Sequence, residues 1–123
     1  MKRAELSELT VGQLVDRFRS IALAQYEAIE DEKHGTFNRL FDRMLDVDNE
    51  LRRRGHDARH SLKPLFRHPN SQVRLKAAIY SLAVEPKRAR KVLEAIAGSG
   101  EFPQAASAKS MLKALDDGTY TPT

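Results

Sequence analysis

Two histidines four residues apart, His56 and His60, form the first arrangement in the sequence that could support chemistry. This spacing can place both imidazoles on one helix face, where they could bind zinc. The sequence offers no third ligand at a suitable spacing, and the charges of Arg59 and Lys63 would oppose a bound cation. Asp57 is also the expected helix cap, which would leave His56 outside the helix. We therefore predict surface histidines and no metal site.

Three carboxylates, Asp42, Asp46 and Glu50, recur at intervals of four residues and would share one face of a helix. Carboxylates act as general acid and general base where their surroundings shift a pKa. No apolar residues flank these three that would raise a pKa, so we interpret them as a solvated face. The segment from Asp46 also resembles the start of a calcium loop, but Leu51 stands where that loop requires glycine. We therefore reject a calcium site.

Other catalytic and cofactor signatures are missing from the sequence. No serine lies in a Gly-x-Ser-x-Gly turn, and the Gly-Ser-Gly at 98–100 is not followed by the Lys-Ser/Thr pair of a phosphate loop. The chain has no cysteine, which removes thiolate chemistry and fits a reducing compartment. No apolar run suits a signal peptide or the about 20 residues of a membrane span. We predict a cytoplasmic protein that is not an enzyme, needs no cofactor and binds no membrane.

Positive charge in the middle of the chain is the strongest functional signal. The net charge is −4 in residues 1–50, +10 in residues 51–91 and −2 in residues 92–123, against +4 for the whole chain. Arg59, Lys63 and Arg67 recur every four residues and are predicted to form one stripe along a helix. The predicted partner surface, which we call the basic patch, comprises eight residues: Arg59, Lys63, Arg67, Lys76, Lys87, Arg88, Arg90 and Lys91.

The basic patch could bind either of two kinds of anionic partner, or it could be a surface that binds no partner. A surface that follows a nucleic-acid backbone gains from aromatic side chains that stack on bases. Residues 51–91 contain only Phe66 and Tyr80 as aromatics, and the chain has no tryptophan. An acidic protein partner therefore fits slightly better than nucleic acid, while the sequence leaves the oligomeric state open. The structural alternative is a solvated face that pairs with the acidic N-terminal half, each pair contributing about 0–1 kcal/mol.

The elements that position these residues follow from local helix signals. A capping box of Thr10 and Gln13 opens the first predicted helix, and Gly55 ends the second. Asp57 is predicted to cap a short third helix that Pro64 kinks. The remaining boundary signals are Asn70 or Ser71 before the fourth helix, Pro86 and Pro103 near the starts of the fifth and sixth, and Gly118 after the sixth. No segment alternates with the period of a strand, so residues 1–123 are predicted to form one all-α domain of about six helices in three stacked hairpins.

The stretch SLKPLFRHPNSQVRLKAAIYSLA resembles a HEAT repeat, in which a proline-kinked helix precedes a short turn and a helix with a Val-Arg-x-x-Ala-Ala pattern. The resemblance places one repeat at residues 57–84 and a second, divergent repeat at residues 86–117. Residues 10–54 match it only in being a pair of helices, an N-terminal hairpin. The resemblance to a HEAT repeat implies a short right-handed α-α superhelix of the HEAT/ARM type, in which stacked hairpins bury a continuous core.

The full chain also resembles a small bacterial family of similar length that is classed as a domain of unknown function. The segments that carry this resemblance are LVDRFRSIALAQYEAI, FNRLFDRM, HPNSQVRLKAA and ALDDGTYTPT. Some HEAT-like families of this kind are proposed to include immunity proteins that neutralise toxins. We therefore expect a non-enzymatic interaction module for a protein partner, with an immunity or antitoxin-type role as one form of it. Sequence-independent nucleic-acid binding through the basic middle is the alternative.

Overall fold

A computed structural model describes residues 3–123, with side chains from residue 5 onward. The helices are α1 (Arg3–Leu6), α2 (Val11–Glu30), α3 (His34–Arg54), α4 (His56–His60), α5 (Ser71–Ser81), α6 (Pro86–Ala97) and α7 (Gln104–Asp117), with a 3₁₀ segment at Lys63–Arg67. Residues 3–123 contain no strand, so the all-α prediction is confirmed. None of the helices in this range is long and apolar enough to span a membrane.

The chain divides into two compact units, an N-terminal unit of Met1–Ser61 and a C-terminal unit of Leu62–Thr123. In the N-terminal unit, α3 packs against α2 and also contacts α1 and α4. In the C-terminal unit, α5 contacts the 3₁₀ segment, α6 and α7, and α6 packs along α7. Each unit therefore has helix-on-helix packing of its own.

Local signals set the ends of α2 and α3 as the sequence predicts. The Gln13 backbone N–H donates to Thr10 Oγ1 (3.1 Å), and the Gln13 side chain accepts from the Thr10 backbone N–H (2.8 Å), which is the predicted capping box. Three arginines occupy the last turn of α3, where they suit the negative end of the helix dipole, and Gly55 follows. The buried apolar side chains of the two helices include Leu14, Phe18, Met44 and Leu51.

The start and the continuity of the predicted third helix differ from what the sequence signals indicate. Gly55 has a φ of 109°, a value that favours glycine, and α4 begins directly after it. Asp57 consequently lies in the first turn of α4 and does not cap it. The helix ends at His60, and Pro64 lies near the start of the separate 3₁₀ segment. Proline lacks the N–H that a continuous α-helix would need at this point, so the expected kinked helix is two short elements.

This break overturns the predicted stripe of Arg59, Lys63 and Arg67. Arg59 belongs to α4 in the N-terminal unit, whereas Lys63 and Arg67 are the first and last residues of the 3₁₀ segment. A 3₁₀-helix has about 3 residues per turn, so side chains four residues apart do not share a face of it. The three cations therefore do not form one row along one helix.

The start of α5 confirms the predicted cap and gives its arginine a structural role. Asn70 Oδ1 accepts hydrogen bonds from the backbone N–H groups two and three residues later, at 2.9 and 3.2 Å. Arg74 Nη1 donates to the carbonyl oxygens of His68 and Pro69, both at 2.9 Å. The side chain of Arg74 thus holds the turn that precedes its own helix, and its charge is used within the fold.

The core of the C-terminal unit combines large aliphatic residues with alanines. Its buried members are Leu75, Ala78, Leu82, Ala89, Leu93, Ile96 and Ala108. Alanine allows the axes of α5, α6 and α7 to approach closely, and the leucines and the isoleucine fill the remaining space. At the far end of α7, Gly118 adopts the left-handed conformation (φ 77°) and ends the helix as predicted.

We expect Asn70→Ala to lower the free energy of unfolding by about 1 kcal/mol, because two N–H groups at the start of α5 would lose their acceptor. Urea denaturation followed by circular dichroism measures this change. Asn70→Asp is the matched control, since aspartate presents an acceptor oxygen at the same position and should retain most of the stability. An alanine variant as stable as the unmodified chain would contradict the capping role.

Candidate partner-binding surface

The described residues around the histidine pair do not form a metal site. His56 is the first residue of α4 and not, as predicted, outside the helix, because Gly55 lets the helix start one residue earlier. The rings of His56 and His60 pack edge to face, with their centroids 4.6 Å apart. Among the described residues, no three His, Asp or Glu side chains are close enough together to hold a metal ion.

The carboxylate row of α3 divides between solvent and the interior. Asp42 is exposed, Asp46 is half-buried and Glu50 is buried. Glu50 pairs with Arg53 and, at 2.8 Å, with Arg54 Nε. Hydrogen bonds from these two guanidinium groups lower the pKa of Glu50 to about 2. Such a carboxylate stays ionised at neutral pH and is a poor proton donor or acceptor, so its surroundings give it a structural role.

Asp48 is the carboxylate whose surroundings are unusual, and the sequence reasoning missed it. Asp48 is only 2% exposed, and its Oδ2 lies 2.8 Å from Arg52 Nε. Burial raises the pKa of Asp48, and the positive charges of Arg52 and Arg59 act in the opposite direction. The four-residue spacing of Asp48 and Arg52 is a sequence signal that could have identified the pair. Arg59, a predicted patch residue, therefore contributes to neutralising a buried acid of the N-terminal unit.

Within the C-terminal unit, three cations of the basic patch interact mainly within the fold. Arg90 pairs with Asp116 of α7 (2.9 Å) and with Glu94 one turn along α6 (3.4 Å). The Asp116 hydrogen bond is the main reason that the pKa of Arg90 is raised. Lys76 is half-buried, and this burial lowers the pKa of its ammonium group. Lys63 Nζ lies 3.5 Å from Oε1 of Glu85, the residue directly before α6.

Four members of the basic patch remain exposed and form no ion pair with any residue that the structure describes: Arg67, Lys87, Arg88 and Lys91. The last three lie in the first half of α6, and Arg67 ends the 3₁₀ segment. We call Lys87, Arg88 and Lys91 together the cationic face of α6.

The packing of α6 explains why these three cations point outward. Ala89, Leu93 and Ile96 are buried and form one row of the helix at the spacing i, i+4, i+7. With 3.6 residues per turn, Lys87 and Lys91 lie opposite this row. Arg88 lies beside them and is also exposed. No acidic residue follows on α6 before Glu94, so the first half of this face carries positive charge alone.

Fold and surface together define an all-helical protein with an exposed cationic helix and no strand in the described residues. The chain belongs to the DUF2019 family, whose model, described as a domain of unknown function, matches residues 12–116. The chain is also similar to the protein RPA1889 from Rhodopseudomonas palustris CGA009, known from a crystal structure. The two are 44% identical with a TM-score of 0.93, over 96% of this chain and 98% of that one. No curated protein matches the chain.

We expect Glu50→Gln to flatten the acid side of the pH–stability curve. The pKa of Glu50 falls from 4.5 to about 2 on folding. Its ion pairs therefore stabilise the fold above the unfolded pKa, and this contribution is lost as the pH falls from about 4.5 towards about 2. The variant should be less stable at neutral pH, and its free energy of unfolding should decline less over that interval.

Urea denaturation at a series of pH values measures the effect. Asp42→Asn, at an exposed carboxylate of the same helix, is the control and should follow the original curve. A Glu50→Gln curve parallel to the original would show that the pairs with Arg53 and Arg54 do not contribute to stability.

Proposed function

We propose that the chain is a non-enzymatic helical interaction module that binds an acidic protein partner through the cationic face of α6. The observation that carries this proposal is the state of Lys87, Arg88 and Lys91. All three are exposed on one helix and form no ion pair with the described residues, whereas Arg90 of the same helix is paired with two acids. A partner with matching carboxylates would neutralise three charges that the fold leaves to solvent.

The position of these cations on the helix supports a role outside folding. Lys87 and Arg88 occupy the first turn of α6, where the helix dipole is positive and where anions, not cations, are stabilising. An ordinary solvated face gains nothing from cations at this end. A bound carboxylate would interact favourably both with these side chains and with the positive end of the helix dipole.

The proposal includes a HEAT-like architecture, with the cationic helix at the start of the divergent repeat 86–117. The capped turn at Asn70 and the bonds from Arg74 to that turn support the resemblance in the repeat 57–84. A short right-handed α-α superhelix would present its outer helices to partners. We extend the proposal to a cytoplasmic protein, which the lack of cysteine supports, and to an immunity or antitoxin-type role as one form of partner binding.

Nucleic-acid binding is the second candidate, because the same cations could contact phosphates. The aromatic residues argue against it. Phe66 and Tyr80 are both half-buried, and Phe66 packs on the core of the C-terminal unit. The cationic face itself carries no aromatic residue that could stack on a base.

The triple variant Lys87→Glu, Arg88→Glu, Lys91→Glu should reduce affinity for a short poly-glutamate peptide by at least about tenfold. Fluorescence anisotropy of the labelled peptide measures this change. The control is Arg39→Glu, Arg43→Glu, Lys109→Glu, which changes the net charge equally at exposed cations on other helices and should change the affinity only about twofold. Equal losses of peptide affinity in both variants would show that the effect comes from net charge alone, and this result would contradict the proposal.

A short DNA duplex in the same assay separates the two candidate functions. If the partner is a protein, the chain should bind DNA only weakly, and the α6 substitutions should not specifically change this DNA binding. Tighter binding to DNA than to the peptide, with a salt slope near 0.9 per contacted phosphate that falls in the triple variant, would replace the leading proposal by nucleic-acid binding.

The double variant Lys87→Glu, Arg88→Glu should leave the fold intact and stabilise it by up to about 1 kcal/mol, because glutamate suits the positive end of the α6 dipole. Thermal denaturation measures the change. Arg90→Glu serves as the contrast and should destabilise, since it places an acid beside Asp116 and Glu94. A destabilised double variant would mean that these cations serve the fold and not a partner.

A further inference from the structure

We propose that a second copy of this chain is a partner of the cationic face, and that it docks through the acidic end of its α2 helix. This inference deepens the proposed function and rests on it, because it uses the same face of α6. It commits to one source of the carboxylates, and that source is present in the chain itself.

The acidic end of α2 consists of Glu27, Glu30, Asp31 and Glu32. All four are exposed, and none forms an ion pair with a residue that the structure describes. Lys33 is the only cation among residues 27–33, so this short segment carries a net charge of −3. No other six-residue stretch among the described residues of the N-terminal unit carries four exposed acids, and this one lies where α2 ends and the chain leads into α3.

The two surfaces have complementary charge and similar length. The three cations of α6 fall within five residues, which corresponds to about 6 Å along a helix axis. The four acids fall within six residues that include the last turn of α2 and its cap, Asp31. Opposite charges over similar distances allow several contacts to form together, whereas a single exposed ion pair contributes little.

Each surface is also electrostatically unfavourable within its own chain. The last turn of α2 contains no cation, and its acids lie near the negative end of the helix dipole. The first turn of α6 contains no acid, and its cations lie near the positive end. Contact between the acidic end of one copy and the cationic face of another would relieve both repulsions and bring opposite dipole ends together.

The contact joins two different surfaces of the chain. Two copies could form it twice in a closed two-fold dimer, which is isologous, or successive copies could form it once each in an open, heterologous chain. Because it depends on exposed charges, and because the Debye length is only about 10 Å at about 0.1 M salt, we expect reversible association that weakens steeply as salt increases.

Sedimentation velocity of the full chain over a range of concentrations, at low and at high salt, tests the inference. The original chain should associate at low salt and become monomeric at high salt. Two triple variants should each raise the dissociation constant by at least about tenfold. One is Lys87→Glu, Arg88→Glu, Lys91→Glu, and the other is Glu27→Lys, Glu30→Lys, Glu32→Lys.

Combining the two triple variants in one chain is the decisive measurement. This charge-swapped chain has the original net charge, has an acidic α6 and a basic end of α2, and should associate again. Its matched control combines the α6 substitutions with Asp42→Lys, Asp57→Lys and Glu101→Lys, at exposed acids elsewhere. The control has the same net charge but retains two acidic surfaces, and it should stay monomeric.

The outcomes separate this inference from the proposed function. A chain that stays monomeric at low salt, or a charge-swapped chain that does not associate, overturns self-association. If the α6 triple variant still loses affinity for poly-glutamate, the proposed function stands without it. If that variant retains the affinity, the proposed function fails whatever the state of association.

Discussion

Burial of a single apolar row on α6 determines how the C-terminal unit presents its charge. Ala89, Leu93 and Ile96 pack into a core shared with α5 and α7, and this packing fixes the rotation of α6 about its axis. The cations on the opposite side of α6 can therefore contact only solvent or a partner. A change in that rotation would bury lysine and arginine without partners, at a cost of several kcal/mol. The cationic face is thus a consequence of core packing.

The N-terminal unit uses the arginines near the end of α3 in the opposite way. Its arginines near the end of α3 are bound to acids of the same helix, and Arg54 also donates to the backbone carbonyls of Leu6 and Ser7, which ties α1 to α3. Charges used in this manner stabilise the folded chain and are not available to a partner. The contrast between these paired arginines and the unpaired cations Lys87, Arg88 and Lys91 is the physical basis for locating function on α6.

Features that depend on neighbouring residues were predictable. The Thr10 capping box, the Asn70 cap and the glycine at the end of α7 follow from groups within three residues of one another. The predicted stripe of Arg59, Lys63 and Arg67 was wrong, because the four-residue spacing implies one continuous helix and the chain forms two short elements there. Asp48 was missed because its burial depends on packing and not on its neighbours in sequence.

Local patterns were enough to predict the helical class, most helix ends and the strongly basic middle, because propensities, caps and composition are local properties. Which cations interact within the fold and which remain exposed follows from packing between helices, and no local pattern shows it. Arg90 meets Asp116 across 26 residues, and Lys63 meets Glu85 across the whole of α5. Such pairs form when packing brings separate helices together, and this packing leaves four of the eight predicted patch residues exposed, three of which, Lys87, Arg88 and Lys91, lie together on α6.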